Sequence, residues 1–212
     1  MDYKKLEDRV SVTSKTFKTI PKSIIYEIID NKPLFYKGYQ PNIEGSNKNE
    51  NIMGSSGLQA LIISTLLRFL YRHLPEEDYE IVTNEAGLHL NDNDNLATDI
   101  GIYDIKVLAA TEINDKCLEV APKIVIEVDT KADTQNFDDA VDYYHRKTKK
   151  LLDFGVEKVI WMTSKSQRIM VATADTDWKT LSWDKDIEIL DCLQFSLTQL
   201  LKQRRVMIDN RA

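Results

Sequence analysis

Apolar residues first recur at helical spacing along Leu58, Ile62, Leu66, Leu70 and Leu74, with Leu61 and Leu67 flanking them, behind a Ser55/Ser56 cap. A long helix is expected there. Past Pro75 the period becomes strand-like, in runs from Glu80 to Thr83, Gly87 to Leu90, Ala97 to Tyr103 and Lys123 to Val128, separated by turn clusters such as Asn-Asp-Asn-Asp-Asn. A second long helix is expected from Phe137 to Phe154, closed by Gly155 at C′, with a short apolar strand, Val159 to Met162, after it. Strand, helix and strand in that order predict a right-handed crossover. Shorter strands around Ile169 to Thr173 and Ile187 to Leu190 precede a last helix from Ser196 to Gln203.

Upstream, Ile24 to Ile29 reads as a strand, Asp30-Asn31-Lys32-Pro33 as a turn and Leu34 to Tyr39 as the partner strand, which together predict a hairpin. A loop rich in Gly, Ser and Asn follows. These elements predict an α/β (α+β) domain over 21–203, a mixed central sheet flanked by helices, with 1–20 as an N-terminal arm and 204–212 as a tail. At 212 residues one core suffices, and no internal repeat or low-complexity segment is present.

Composition narrows the class. With 42% hydrophobic and 29% charged residues the chain has the balance of a soluble globular protein. Its longest apolar stretch, Leu58 to Leu74, is broken by Gln59, Ser64, Thr65, Arg68, Arg72 and His73, so no membrane span is expected. The N-terminus lacks the apolar core of a secretory signal, and Cys117 and Cys192 show no disulfide or zinc spacing; a cytoplasmic location is expected. A net charge of −6 disfavours a pervasively basic nucleic-acid surface but permits a local groove, and carboxylates gathered around a metal would add to it.

Three residues carry candidate chemistry. Asp99 interrupts the apolar run Ala97-Thr98-Asp99-Ile100-Gly101-Ile102, so it is either buried with a partner or turned outward in a period-2 strand. Glu127 lies in Ile124-Val125-Ile126-Glu127-Val128, a run suited to a central strand, and needs either a divalent metal shared with Asp99 or a structural Lys or Arg. Lys147 falls beside the apolar stripe Phe137, Ala140, Val141, Tyr144, Leu151, from where its stem can reach along the core edge toward the sheet. Arg146, Lys149 and Lys150 read as a solvated face.

In order along the chain, these residues resemble the PD-(D/E)xK nuclease superfamily, and within it bacterial restriction-endonuclease-like proteins long grouped as a domain of unknown function. The resemblance runs from about residue 20 to about residue 201, through Tyr26-Glu27-Ile28-Ile29-Asp30, Ser56 to Leu67 with Gln59, Asn84-Glu85-Ala86-Gly87-Leu88, Ala97-Thr98-Asp99-Ile100, Pro122 to Val128, Lys147 to Trp161 and Leu193 to Leu200. It implies a restriction-endonuclease-like sheet, Mg²⁺ (or Mn²⁺) at Asp99 and Glu127 with the Val128 carbonyl, and phosphodiester hydrolysis. Thr98 stands where the motif has Pro, and Asp129 where it has Lys. The resemblance therefore implies that the lysine role lies with Lys147, with Lys131 as the nearer alternative. Glu27 and Gln59 are possible additional site residues.

The remaining candidates read as structural: His73, His89 and His145 have no ligand spacing, Trp178 and Trp183 suit packing, and Lys202-Gln203-Arg204-Arg205 with Arg211 suits a solvated tail. The expected function is a metal-dependent endonuclease acting on DNA, and the alternative is a nuclease fold that no longer cleaves and binds DNA or protein. A homodimer is the expected assembly.

Overall fold

The computed structural model describes residues 24–37, 55–129, 134, 140–190 and 192–206. The proposed arm, Lys131, Phe137 and residues 207–212 of the tail lie outside them.

Strands β1 (Ile25–Ile29) and β2 (Lys32–Phe35) form the expected hairpin, but its turn is only Asp30-Asn31. Both residues have positive φ, 53° and 60°, as a two-residue hairpin turn demands. Lys32 and Pro33 therefore pair within β2, where an edge position tolerates the missing proline N–H.

Helix α1 (Gly57–His73) starts at Ser56, whose Oγ accepts from the Gln59 amide at 3.1 Å. It buries Gln59, Ile62, Thr65, Leu66 and Leu70. Leu61, expected on the apolar stripe, is instead 48% exposed, because the line through positions 62, 66 and 70 leaves it a quarter-turn away.

The two runs read as separate strands are one, β3 (Tyr79–Asn91), interrupted by a bulge at Asn84-Glu85 and paired along β4 (Asp94–Asp104). Short α2 (Ile105–Ala109), capped by Asp104, has no periodic signal in the sequence. β5 (Ile124–Val128) is buried throughout, and the helix expected from Phe137 is described as α3 (Ala140–Phe154), ending at Gly155 with φ +116°. β6 (Lys158–Thr163) runs parallel to β5, as the crossover requires.

β7 (Arg168–Thr173) pairs with β8 (Thr176–Ser182), a strand whose polar residues hid it. β9 (Ile187–Leu190) and β10 (Leu193–Phe195) form a small second sheet before α4 (Leu197–Gln203). The main sheet, mostly antiparallel, runs β2-β1-β4-β5-β6-β7-β8 with β3 also on β4. Ile124, Ile126 and Val128 of β5 join the core with α1 and α4, while Val125 joins the one with α3. Glu127 alternates with Val125 and so belongs to the α3 face. No helix among the described residues is long and apolar enough to cross a membrane.

The adjacent pair Leu61 and Ile62 tests the packing of α1. Ile62→Ala should cost about 2–5 kcal/mol in urea unfolding, and Leu61→Ala should stay within about 0.5 kcal/mol of the parent.

Candidate active site

On β4, one edge is occupied by β3, and the other is shared by β1, which pairs at Asn95, and β5, which pairs at Ile100, Gly101 and Ile102. Between them the sheet forks. The backbone of Ala97, left without a strand partner on that edge, is satisfied by side chains: its N–H donates to Glu27 Oε1 at 3.1 Å, and its carbonyl accepts from Lys147 Nζ at 2.6 Å.

Those two side chains also meet each other. Lys147 Nζ donates to Glu27 Oε1 at 2.6 Å and lies 3.0 Å from Glu127 Oε1. The latter is an ion-pair distance, and no other partner reaches Glu127 Oε1 among the described residues. Tyr143, one turn before Lys147, donates its hydroxyl to Glu27 Oε2 at 2.8 Å. The rings of Trp161 and Tyr26 lie 5.5 and 5.8 Å from the ammonium group.

Asp99 approaches from the C-terminal side of the fork. Its Oδ2 accepts from the Val128 N–H at 2.8 Å, and Thr83 Oγ1 donates to its own carbonyl at 2.7 Å. Gln59 reaches down from α1 and donates to the Val128 carbonyl at 2.6 Å, on the residue whose N–H binds Asp99. The fork thus gathers Glu27, Gln59, Asp99, Glu127, Val128 and Lys147.

Several expectations change. Of the two alternatives for Asp99 the buried one holds, at 5% exposure, whereas Lys147 does not run along the core edge but is fully buried. The buried face of α3 is Tyr143, Lys147, Thr148 and Leu151, whereas Ala140 and Val141 of the expected stripe are exposed. Thr148 accepts from Trp161 Nε1 at 2.8 Å, so two polar residues occupy core positions there. Lys149 is solvated, but Lys150 binds Asp30 at 2.7 Å and Asp94 at 2.8 Å.

Asp129 ends β5 in a left-handed turn, with φ 58°, and its Oδ1 accepts from Ser164 N at 2.8 Å. That turn breaks the side-chain alternation that would have aligned residue 129 with Glu127. Among the histidines, His73 and His89 hydrogen-bond Phe69 O and Asn95 Oδ1, and His145 stacks on Trp178 at 4.0 Å. Trp183 is core.

Burial pushes Glu127 well above the ordinary carboxylate range; Lys147 opposes the shift, and Asp99 and Glu27 add to it. Burial likewise raises Asp99, against the Val128 N–H, Lys147 and Gln59. On Lys147 burial works against the charge, but Glu127 and Glu27 outweigh it and hold the ammonium well above the usual lysine range. One buried cation is therefore paired with two carboxylates, and a third, Asp99, is buried nearby.

Asp99, though buried, also borders open space. It lines a groove of about 570 Å³ between α1 and β3, walled by Ser64, Arg68 and Tyr71 on one side and by Thr83, Asn84 and Glu85 on the other.

In overall architecture the chain resembles a crystal structure from Anabaena variabilis ATCC 29413, described as a candidate nuclease belonging to DUF820, with a TM-score of 0.62. The two share a fold. The alignment covers 83% of this chain and 89% of that one at 14% sequence identity. No family model matches the chain, and no curated protein matches it.

A carboxyl group that binds its proton more tightly in the folded chain than in the unfolded one favours folding in acid, and that contribution is lost as pH rises through the folded-state value. Glu127→Gln removes this loss. In metal-free buffer the variant should gain thermal stability relative to the parent between about pH 4 and about pH 8; melting curves at both ends of that range measure the difference.

Proposed function

We propose that this protein is a metal-dependent endonuclease that hydrolyses phosphodiester bonds in DNA, with Asp99 and Glu127 as metal ligands and Lys147 as the site lysine. One observation carries the reading: two carboxylates with raised proton affinity are buried together at a break in the sheet, and one of them borders an open groove. The fold shared with a protein described as a candidate nuclease supports it.

The donor set suits a hard divalent cation. Glu127 Oε1 is buried with the Lys147 ammonium, 3.0 Å away, as its partner, and the Val128 carbonyl uses one lone pair for Gln59 and keeps a second. No three His, Cys, Asp or Glu side chains form a metal cluster among the described residues. Two carboxylates and a carbonyl with water and phosphate oxygens would match the way Mg²⁺ is usually held. Such an ion, when bound, lowers the pKa of water and polarises the scissile phosphate.

The chain's own groups prepare that chemistry. The Val128 N–H fixes the Asp99 carboxylate and Gln59 holds the Val128 carbonyl, while Glu27, itself held by Tyr143, fixes Lys147 beside Glu127. Lys147, buried beside Glu127, would supply positive charge against the negative charge that develops on phosphate.

A second reading, a binding module that no longer cleaves, draws on the same lysine. Its ammonium is already matched by Glu27, Glu127 and the Ala97 carbonyl, and Asp129 engages Ser164.

Incubation with single- and double-stranded DNA separates the two. Cleavage should require Mg²⁺ or Mn²⁺, stop with EDTA and fall about 10²-fold or more in Asp99→Asn. Intact DNA of both forms with either metal would overturn the nuclease reading.

A further inference from the structure

The groove beside Asp99 differs from the fork in what lines it. Along α1 it presents Ala60, Ile63 and Leu67 together with Tyr71, which is 52% exposed and whose hydroxyl donates to the Ile81 carbonyl at 3.4 Å. An aromatic ring tethered at its rim is a surface on which a planar base can stack. Arg68 is the only cation among the described lining residues, against Glu85 and Asp99. Duplex DNA is gripped by neutralising phosphates on both strands, and one arginine beside two carboxylates cannot do that.

Size points the same way. A groove of about 570 Å³ falls in the range of small-ligand sites, enough for a nucleotide unit or two and far too little for a duplex.

The opposite wall is strained. Asn84 and Glu85 have φ of 74° and 55°, both in the left-handed region that favours glycine, and the register of β3 against β4 shifts between Thr83 and Ala86. The bulge is fastened on both sides: Tyr36 donates to Glu85 Oε2 at 2.9 Å, and Thr83 donates to the Asp99 carbonyl at 2.7 Å. Backbone held in such a conformation, with its side chains set against a groove, marks a place where position matters more than local stability.

We infer that this groove binds a single, unpaired strand of nucleic acid, with a base stacked on Tyr71, a phosphate at Arg68 and the Asn84 amide as the polar contact opposite. The inference rests on the nuclease reading for what happens at Asp99, but binding is measured apart from cleavage.

The probes are an end-labelled oligothymidylate and its duplex with oligoadenylate, titrated by fluorescence anisotropy with calcium in place of magnesium. The single strand should bind about tenfold more tightly than the duplex, and Tyr71→Leu should lose about tenfold while Tyr71→Phe keeps the affinity. Asn84→Gly, which relieves the strain while removing the amide, should weaken single-strand binding several-fold without lowering the melting temperature. A duplex bound as tightly as the single strand, or single-strand binding unchanged in both Tyr71→Leu and Asn84→Gly, would overturn the groove assignment and leave the nuclease reading standing. Strand preference with these variant effects but no cleavage in magnesium would uphold the groove and remove the nuclease reading instead.

Discussion

The break in pairing along one edge of β4 is the constraint on which the rest of the site depends. A buried backbone amide and carbonyl at Ala97 cannot be left unpaired at a cost of about 1–3 kcal/mol each. Glu27 and Lys147 supply what a strand would have supplied. Because each also bonds the other, the repair of the sheet draws an acid and a base into its interior. Glu127 and Asp99, at the end of β5 and on β4, then sit beside charges the architecture has already required.

Such an arrangement is expensive, since ions taken from water recover the loss only with near-complete partnering. Lys147 has that partnering in two carboxylates and a carbonyl. The carboxylates do not, because Glu27 and Glu127 share one ammonium group and Asp99 makes no ion pair with it, and burial raises the proton affinities of Asp99 and Glu127.

Much of the fold is legible in the sequence because burial is periodic in α1, and β4, β5 and β6 carry near-continuous apolar runs. Glu127 stands out as the one charge in an unbroken apolar strand. Lys147 is legible as a candidate, but its depth is not: a helix face carrying Lys147 and Thr148 reads as polar, although the ion pairs and the Trp161 indole make it core. Tyr143 gives no signal, because a buried tyrosine whose hydroxyl positions a carboxylate looks in sequence like any aromatic residue. The bulge at Asn84-Glu85 splits one strand into two runs, and β8 escapes a reading by periodicity because it is largely exposed. The partner of Asp129 cannot be read at all, since it depends on a turn 35 residues away.

Helix α3 also joins parts of the chain that the sheet barely connects. The hairpin of β1 and β2 meets β4 through one register pair, Ile28 with Asn95. Lys150 binds both Asp30 in its turn and Asp94 in the neighbouring one, while Lys147 and Tyr143 hold Glu27. The hairpin is thus fastened by charge and by the burial of Ile29 and Leu34 in the core beside α3 rather than by a long ladder, and its local opening costs both. At its outer end, where Lys150 and Asp30 reach solvent, that fastening weakens with ionic strength, whereas the inner pair is shielded from salt. Opening would carry Glu27 away with the strand, so the lysine's environment depends on whether a two-stranded flap is docked.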